Sequence, residues 1–272
     1  MIVYPNAKIN LGLHITQKRP DGFHEIETVM FPTKLCDALE VVPADTSRSS
    51  FSLSGMAVPD HNQNLCVSAC KLLQQSWHLP PVRIFLHKKI PIGAGLGGGS
   101  ADAAFTLKAL KEMYNLQVPS STLHELASSL GSDCPFFLEN KPMLASGRGE
   151  ILNPLPEIDL SGWHLIVITP PVHVPTAAAY QGVIPKKPAQ PLLEVIQQPV
   201  HLWKHSLIND FEETIFRKFP AIAPIKEKLY QLGATYASMS GSGSSVFGLF
   251  EQKPDEGFRL QFKDHFIWQE EL

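Results

Sequence analysis

A glycine-rich segment at residues 91–101 is the part of this sequence whose composition most directly indicates chemistry. Five glycines lie within the seven residues from Gly93 to Gly99. The preceding residues Val82–Lys88 alternate like a strand, and residues 101–114 repeat apolar side chains at helical spacing. Glycine lets a phosphate approach the main chain, and the N–H groups at the start of a helix bind anions. The segment therefore predicts a phosphate-binding loop consisting of Pro91, Ile92, Gly93, Ala94, Gly95, Leu96, Gly97, Gly98, Gly99, Ser100 and Ala101.

Two standard phosphate-binding motifs match this loop only in part. Gly93-x-Gly95-x-x-Gly98 fits the dinucleotide fingerprint, but that motif needs an acidic residue about 20 positions later, at the end of a second strand. Here that region is the end of the predicted helix and a polar run at residues 115–121. A P-loop would need lysine where Gly99 stands. A flexible linker is disfavoured because a strand and a helix adjoin the segment directly. The sequence therefore favours a phosphate-binding loop of a third kind.

Charge, cysteine usage and hydropathy exclude several classes of partner and indicate a protein of a reducing compartment. The 272 residues carry 23 Lys and Arg against 26 Asp and Glu, which gives no basic footprint for nucleic acid or an anionic membrane. The four cysteines form no Cys-x-x-Cys pair, so we expect reduced thiols and a cytoplasmic protein. The N-terminal residues do not resemble a signal peptide, and prolines interrupt the long uncharged stretch at residues 160–185. We therefore expect no nucleic-acid partner and no membrane association. We also expect a monomer or weak homodimer.

Strands and helices mix in both halves of the chain, which predicts an α+β protein. At residues 8–15, apolar side chains alternate with Lys8, Asn10, Gly12 and His14, which indicates a strand with a second face that a ligand could approach. Thr122-x-x-Glu125 matches a capping box that would open a helix. The best linker candidate is residues 153–156, which divides the chain into domains 1–155 and 156–272.

Three segments together resemble the motifs of the GHMP kinases, the galacto-, homoserine, mevalonate and phosphomevalonate kinases. Residues 5–13 resemble the first motif, residues 91–104 the second, and residues 238–247 the third, glycine-rich motif. The resemblance implies a two-domain α+β fold, with an N-terminal ATP-binding domain like domain 2 of ribosomal protein S5 and a ferredoxin-like C-terminal domain. It also implies an active site in the cleft between the domains.

Residues 8–11, 19–24 and 131–137 are most similar to the GHMP kinases that phosphorylate a cytidine-diphosphate-linked methylerythritol. That resemblance implies transfer of the ATP γ-phosphate to the 2-hydroxyl of the methylerythritol, a step toward isoprenoid precursors by the non-mevalonate route. Lys8 and Asp133 match the catalytic lysine and aspartate, although a loop aspartate such as Asp133 is by itself usually a turn residue. Mg²⁺ is expected with ATP, because it binds largely through substrate phosphates.

The resemblance also assigns residues to the two ligands. Phe23 and His24 match positions that stack on cytosine and read its edge, and Phe23 stands where tyrosine is commoner. Tyr180, in the segment that begins at Thr176, matches a second aromatic on the other side of the base, and Asn10 matches a contact to the erythritol. For ATP, the matching positions are Asn64 and Lys88, although Asn64 could equally cap its helix. The substrate-binding set is therefore Asn10, Phe23, His24, Thr176 and Tyr180.

Two other function classes stay open at this point. The first is another GHMP kinase, of the mevalonate or homoserine type, which has no need for a cytosine clamp. The second is a non-catalytic nucleotide-binding or dehydrogenase-like protein, which the missing ribose-binding acid disfavours.

Overall fold

The computed structural model describes residues 1–56, 64–155 and 158–272, and these form helices and sheets in both halves of the chain. The strands are β1 (Ile2–Val3), β2 (Asn6–Lys18), β3 (His24–Cys36), β4 (Ala38–Pro43), β5 (Ser50–Gly55), β6 (Val82–Lys88), β7 (Met143–Ser146), β8 (Ile151–Pro154), β9 (His164–Thr169), β10 (Tyr236–Met239), β11 (Val246–Phe250) and β12 (Phe266–Glu271). The helices are α1 (Leu65–Trp77), α2 (Gly98–Met113), α3 (Ser120–Leu130), α4 (Cys134–Glu139), α5 (Thr176–Tyr180), α6 (Leu192–Ile196), α7 (Trp203–Ser206), α8 (Phe211–Lys218) and α9 (Ala223–Gln231), with 3-10 turns at Val200–Leu202 and Glu256–Phe262.

The chain divides into two compact units that are each discontinuous in sequence. Unit 1 contains Met1–Ala7, Leu35–Ile92 and Gly97–Lys141, and unit 2 contains Lys8–Lys34, Gly93–Leu96 and Pro142–Leu272. The predicted boundary after residue 155 stays a prediction, and Pro156 of the predicted linker lies outside the described residues.

Unit 1 contains a sheet in the order β1-β4-β6-β5, in which β5 runs parallel to β6 and the other pairs are antiparallel. Alternate residues of β6 are buried, as the period of two predicted. Val82, Ile84 and Leu86 join one apolar cluster with residues of α1 and α2, including Leu73 and Leu107. This cluster fixes the strand and the helix that flank the glycine-rich segment.

Unit 2 contains an antiparallel sheet in the order β10-β11-β9-β12. Its core includes Ile166 of β9, Ile215 of α8 and Leu229 of α9, together with Ile15 of β2. A second sheet has the order β2-β3-β7-β8, and its last two strands form a hairpin around residues 147–149. Within the described ranges, no helix combines the length and apolar character needed to cross a membrane.

Several sequence-based boundaries need correction. The capping box is wrong: α3 begins at Ser120 after Pro119, and no side chain caps it. The N-cap residue is Pro119, whose side chain has no oxygen that could accept a hydrogen bond from the first turn. Helix α2 begins at Gly98, three residues earlier than predicted. Residues 153–154 of the predicted linker end strand β8.

Candidate active site

Lys8 and Asn10 on strand β2 are more buried than the alternation of apolar and polar residues along this strand predicted. Lys8 is 3% and Asn10 is 1% exposed, so both faces of the strand are covered here. One cause lies at Gly12, where an added Cβ would come within 2.8 Å of methyl groups of both Leu192 and Leu207. Apolar side chains from later in unit 2 therefore cover the face that the sequence left open to a ligand at this point.

A chain of hydrogen bonds orients the Lys8 ammonium group. Lys8 Nζ donates to Asn10 Oδ1 at 2.5 Å, and Asn10 Nδ2 donates to Thr28 Oγ1 at 3.0 Å. The Thr28 hydroxyl in turn donates to the Gly12 carbonyl at 2.5 Å. Because Thr28 fixes the amide of Asn10, the amide oxygen is the atom directed toward Lys8. Thr28 is a supporting residue that the sequence did not single out.

In unit 2, the glycine-rich segment is fastened through three successive carbonyls. Ala94 O accepts from Ser245 N at 3.1 Å, and Leu96 O accepts from Lys8 N at 3.0 Å. Gly95 O accepts from Ser240 Oγ at 2.9 Å. Gly95 also has a φ of +78°, and a Cβ there would lie 1.9 Å from Ser240 O. Fixing these carbonyls sets the direction of the intervening N–H groups. The close approach of Ser240 O to Gly95 is possible only because residue 95 is a glycine.

In unit 1, the segment continues into the start of helix α2. Gly97 is the N-cap residue with a φ of +71°, and no side chain caps the helix. Gly98, Gly99 and Ser100 therefore form the first turn, whose main-chain N–H groups have no intrahelical acceptor. A start of this kind on a 16-residue helix attracts anions through its free N–H groups and dipole.

The turn that carries Asp133 lies beside Ser100, within the same unit. Asp133 is the N-cap residue of α4, but its carboxylate does not cap that helix. A Cβ on Gly131 would lie 3.7 Å from Ser100 Oγ and 3.4 Å from Cys134 Sγ. Burial raises the pKa of the Cys134 thiol to about 12, so this cysteine is a neutral packing group. The structure thus brings the Asp133 turn to the start of α2.

Lys88, which the resemblance assigns to ATP, lies in a buried ion cluster. Its Nζ donates to Asp102 Oδ2 at 2.7 Å and to Asp37 Oδ2. Asp37 Oδ1 also accepts from the N–H of Ile90 at 2.8 Å. Burial opposes the charge of Lys88, but the carboxylates of Asp102 and Asp37 raise its pKa overall. The sequence did not single out Asp37 and Asp102. Through Lys88 they connect the C-terminal end of β6 to the start of α2.

Asn64, the other residue assigned to ATP, caps helix α1. Its Oδ1 accepts from Cys66 N at 2.8 Å. The alternative given by the sequence, an N-cap role, is therefore confirmed. The nucleotide contact stays a prediction.

The residues assigned to cytosine lie together in unit 2. Phe23 is 54% exposed, and the Arg148 guanidinium lies 5.0 Å from the centre of its ring. His24 stacks on Tyr180 with ring centres 4.9 Å apart, and Tyr180 meets the edge of Phe211 at 4.8 Å. Burial, with a smaller effect of Lys18, lowers the pKa of His24 and favours the neutral ring. Thr176 begins the short helix α5 that ends at Tyr180.

The third glycine-rich segment contains the turn of a hairpin. Strands β10 and β11 pair from Tyr236–Leu249 to Met239–Val246, and the loop between them contains Gly241, Ser242 and Gly243. In the structure, Ser240 and Ser245 of this loop bond directly to Gly95 and Ala94.

Comparisons with known proteins identify the family. The model of the GHMP kinases N terminal domain matches residues 64–141, and that of the GHMP kinases C terminal domain matches residues 193–267. A protein of Bacteroides fragilis named 4-diphosphocytidyl-2-C-methyl-D-erythritol kinase is 49% identical over 100% of both chains.

Solved structures agree with these sequence matches. A crystal structure of 4-(cytidine 5'-diphospho)-2C-methyl-D-erythritol kinase is 36% identical, with a TM-score of 0.83 over 99% of this chain and 98% of the other. The Methanococcus jannaschii mevalonate kinase is 14% identical, with a TM-score of 0.72 over 100% of this chain and 98% of the other, and shares the fold. The predicted α+β class and GHMP kinase fold are confirmed, and the chain belongs to the 4-diphosphocytidyl-2-C-methyl-D-erythritol kinases within the GHMP kinase family.

Proposed function

We propose that this protein is a kinase that transfers the γ-phosphate of ATP to the 2-hydroxyl of 4-diphosphocytidyl-2-C-methyl-D-erythritol. The observation that carries the proposal is the 49% identity, over the whole chain, to a relative named for this kinase activity. The likeness to mevalonate kinases is only 13–14% in sequence, so it supports the shared fold and not their acceptor.

Lys8 and Asp133 carry the transfer in this proposal. The acceptor oxygen forms a bond to the γ-phosphorus. The bond between that phosphorus and the oxygen bridging the β- and γ-phosphates breaks, and ADP leaves with the bridging oxygen. Asp133 accepts the hydrogen bond of the acceptor hydroxyl and takes its proton, while the Lys8 ammonium stabilises the charge of the moving phosphoryl group. Support comes from the orientation of Lys8 by Asn10 and from the position of the Asp133 turn beside Ser100.

ATP is bound by residues 91–101 together with Asn64 and Lys88. The uncapped start of α2 and the fixed carbonyls of residues 94–96 support a phosphate site there. The Lys88 ammonium is already paired with Asp37 and Asp102, so in this proposal Lys88 acts by fixing the strand end that precedes residues 91–101.

Mg²⁺ accompanies ATP in this proposal. The described residues contain no group of three or more His, Cys, Asp or Glu side chains placed to hold a metal ion. Mg²⁺ commonly keeps several waters and binds through substrate phosphates, which fits a site with few protein ligands. Ser100, in the first turn of α2, is the residue that would contact the ion or a phosphate. The ion would neutralise charge on the phosphates.

The acceptor is held by Asn10, Phe23, His24, Thr176 and Tyr180. The exposed ring of Phe23 supports stacking on a base, and the neutral His24 ring can both donate and accept a hydrogen bond at a base edge. The four cysteines are free thiols, which supports a cytoplasmic location. We further propose a monomer or weak homodimer that has no nucleic-acid or membrane partner.

Turnover with a panel of acceptors tests the proposal. The purified protein with ATP and Mg²⁺ is offered 4-diphosphocytidyl-2-C-methyl-D-erythritol, mevalonate or homoserine, and ADP release is measured. We expect turnover with the first acceptor only. Turnover with mevalonate or homoserine instead would assign the protein to another GHMP kinase activity, and tight binding of NAD by calorimetry would favour a dehydrogenase-like protein.

A further inference from the structure

Ser240 links the glycine-rich segment to the strand that carries Lys8. Its hydroxyl donates to Gly95 O at 2.9 Å and accepts from Asn10 N at 3.3 Å. Ser240 is completely buried, so water does not compete for either bond. One side chain therefore connects the middle of the segment to a point two residues beyond Lys8.

Main-chain hydrogen bonds also hold the hairpin loop that contains Ser240 against the glycine-rich segment. Ser240 N donates to Ser245 O at 2.9 Å, which closes the hairpin loop, and Ser245 N then donates to Ala94 O at 3.1 Å. Gly241 also lies close to Asn10 and Gly95, because an added Cβ there would be 3.2 Å from Asn10 Oδ1 and 3.3 Å from Gly95 O. The hairpin loop thus packs tightly against both the segment and Asn10, and a side chain at position 241 would push these neighbours apart.

Asn209 fixes the main chain on both sides of Ser240. Its Nδ2 donates to Met239 O at 2.7 Å and to Gly241 O at 2.8 Å. Its Oδ1 accepts from Phe211 N at 3.0 Å, and the residue is 1% exposed. Since both carbonyls that flank Ser240 are held by one amide, the direction of the Ser240 side chain is set by Asn209.

Glu212, the second residue of α8, holds strand β10 in the same way. Its Oε1 accepts from Met239 N at 2.8 Å and from Ser238 Oγ at 3.0 Å. Its Oε2 accepts from Lys226 Nζ at 2.6 Å, so the buried carboxylate is paired. Residues Asn209 and Glu212 therefore fix β10 and the hairpin loop that follows it.

We propose that Ser240 and Asn209 are positioning residues for phosphoryl transfer. Ser240 fixes the middle of the phosphate-binding segment to the main chain of β2, beside the bond from Lys8 N to Leu96 O, and Asn209 holds Ser240 in place. This inference rests on the proposed function, because it assumes that the segment holds the phosphates of ATP and that Lys8 acts on them. A small misplacement of reacting groups is costly in such a reaction, since catalysis depends largely on positioning.

Ser240→Ala tests the inference, with Tyr230→Phe as the matched control. Tyr230 OH also bridges one carbonyl and one N–H, those of Ala237, at 3.2 and 3.1 Å, away from the segment. Both variants lose a hydroxyl with two main-chain partners, so we expect similar decreases in Tm. We expect Ser240→Ala to weaken ADP binding at least tenfold by calorimetry and to lower kcat at least tenfold. Tyr230→Phe should change neither by more than twofold.

Hydrogen exchange at the Asn10 amide supplies a readout that needs no turnover. This N–H donates to Ser240, so it should exchange faster in Ser240→Ala and at the wild-type rate in Tyr230→Phe. Asn209→Asp is the second variant, because it replaces the donor to both flanking carbonyls by an acceptor. It should reproduce the faster exchange and the weaker ADP binding.

The outcomes separate this inference from the proposed function. Ser240→Ala that binds ADP and turns over like the wild type, despite a lower Tm, would overturn the inference alone. So would an equal loss of ADP binding in Tyr230→Phe. A wild-type protein that binds ADP but phosphorylates no acceptor would instead contradict the proposed function, while the comparison of ADP affinities would still decide the role of Ser240.

Discussion

The ammonium group of Lys8 donates a hydrogen bond of 2.5 Å to the side-chain oxygen of Asn10, two residues later on the same face of β2. Asn10 is itself oriented by Thr28 on the neighbouring strand, through a bond of 3.0 Å. Because both acceptor and donor ends of the amide are used, the position of Lys8 Nζ depends on three residues rather than on one flexible side chain. A lysine held in this way is prepared to meet a phosphoryl group without first losing its rotational freedom.

Removing the Lys8 ammonium should abolish most of the turnover. We expect Lys8→Ala to lower kcat at least 100-fold, because the charge that stabilises the transferring phosphoryl group is lost. ADP binding, measured by calorimetry, should stay within a few-fold of wild type. Lys34→Ala is the control, since the side chain of Lys34 is exposed and bonds to the main chain of Glu271. Near-wild-type kcat in Lys8→Ala would contradict the role assigned to Lys8.

Asp133→Asn keeps the size of the side chain but removes its basicity. General base catalysis contributes roughly 10²–10⁴-fold, so we expect kcat to fall by at least about 100-fold. Binding of ADP and of the acceptor should persist, which a separate titration of each ligand checks. Glu139→Gln, at the other end of α4, should keep normal turnover because its carboxylate pairs with His124 near the surface. A variant Asp133→Asn with more than a tenth of the wild-type kcat would exclude Asp133 as the base.

Phe23 should govern affinity for the acceptor and not for ATP. Stacking of a base on an aromatic ring contributes about 1–3 kcal/mol, so Phe23→Ala should raise the KM of the acceptor roughly 5- to 100-fold. Phe23→Tyr keeps the ring and should remain close to wild type. Tyr180→Ala should also raise the acceptor KM. Phe85→Ala, which removes an exposed ring from β6, serves as the control. An acceptor KM that is unchanged in both alanine variants would argue against a cytosine clamp.

Contacts between neighbouring residues could be predicted from the sequence. The period of two along β2 placed Lys8 and Asn10 on one face, and the structure confirms that shared face. The glycines of residues 93–99 indicated a main chain that other groups approach closely, and Gly95 has such an approach from Ser240. In both cases the signal comes from residue types and spacings within a few positions.

Contacts between distant residues could not be predicted in this way. Ser240 and Gly95 are 145 positions apart, and Lys88 and Asp37 are 51 apart. Nothing in the local composition around Asp37 distinguishes a buried ion pair from an exposed carboxylate. Strand β12 was also missed, because its six residues include polar Gln269, Glu270 and Glu271 and are fixed by pairing with β9. Tertiary pairing, which decides these features, leaves little trace in a single sequence.

Asp102 should make stability depend on pH near neutrality. Burial raises the pKa of its carboxyl from 3.8 to about 7, and the neighbouring charge of Asp37 adds to this effect. The folded protein therefore holds a proton that the unfolded chain releases near pH 4. The stabilisation is complete below about pH 4 and is lost as the pH rises through about 7. Lys88, whose pKa is raised, stays protonated throughout this range.

The measurement compares Asp102→Asn with the wild type by urea unfolding at pH 5 and pH 8. Asparagine does not titrate, so the wild type should lose more free energy of unfolding than the variant between the two pH values. Each pKa unit corresponds to about 1.4 kcal/mol, so we expect a difference on the order of 2 kcal/mol. Asp159→Asn is the control: a hydrogen bond from Ser161 lowers the pKa of this exposed carboxyl, which is ionised at both pH values. If Asp102→Asn shows the same pH dependence as the wild type, Asp102 is ionised in the folded protein across the whole range, and the buried cluster of two carboxylates and one ammonium carries a net charge of −1.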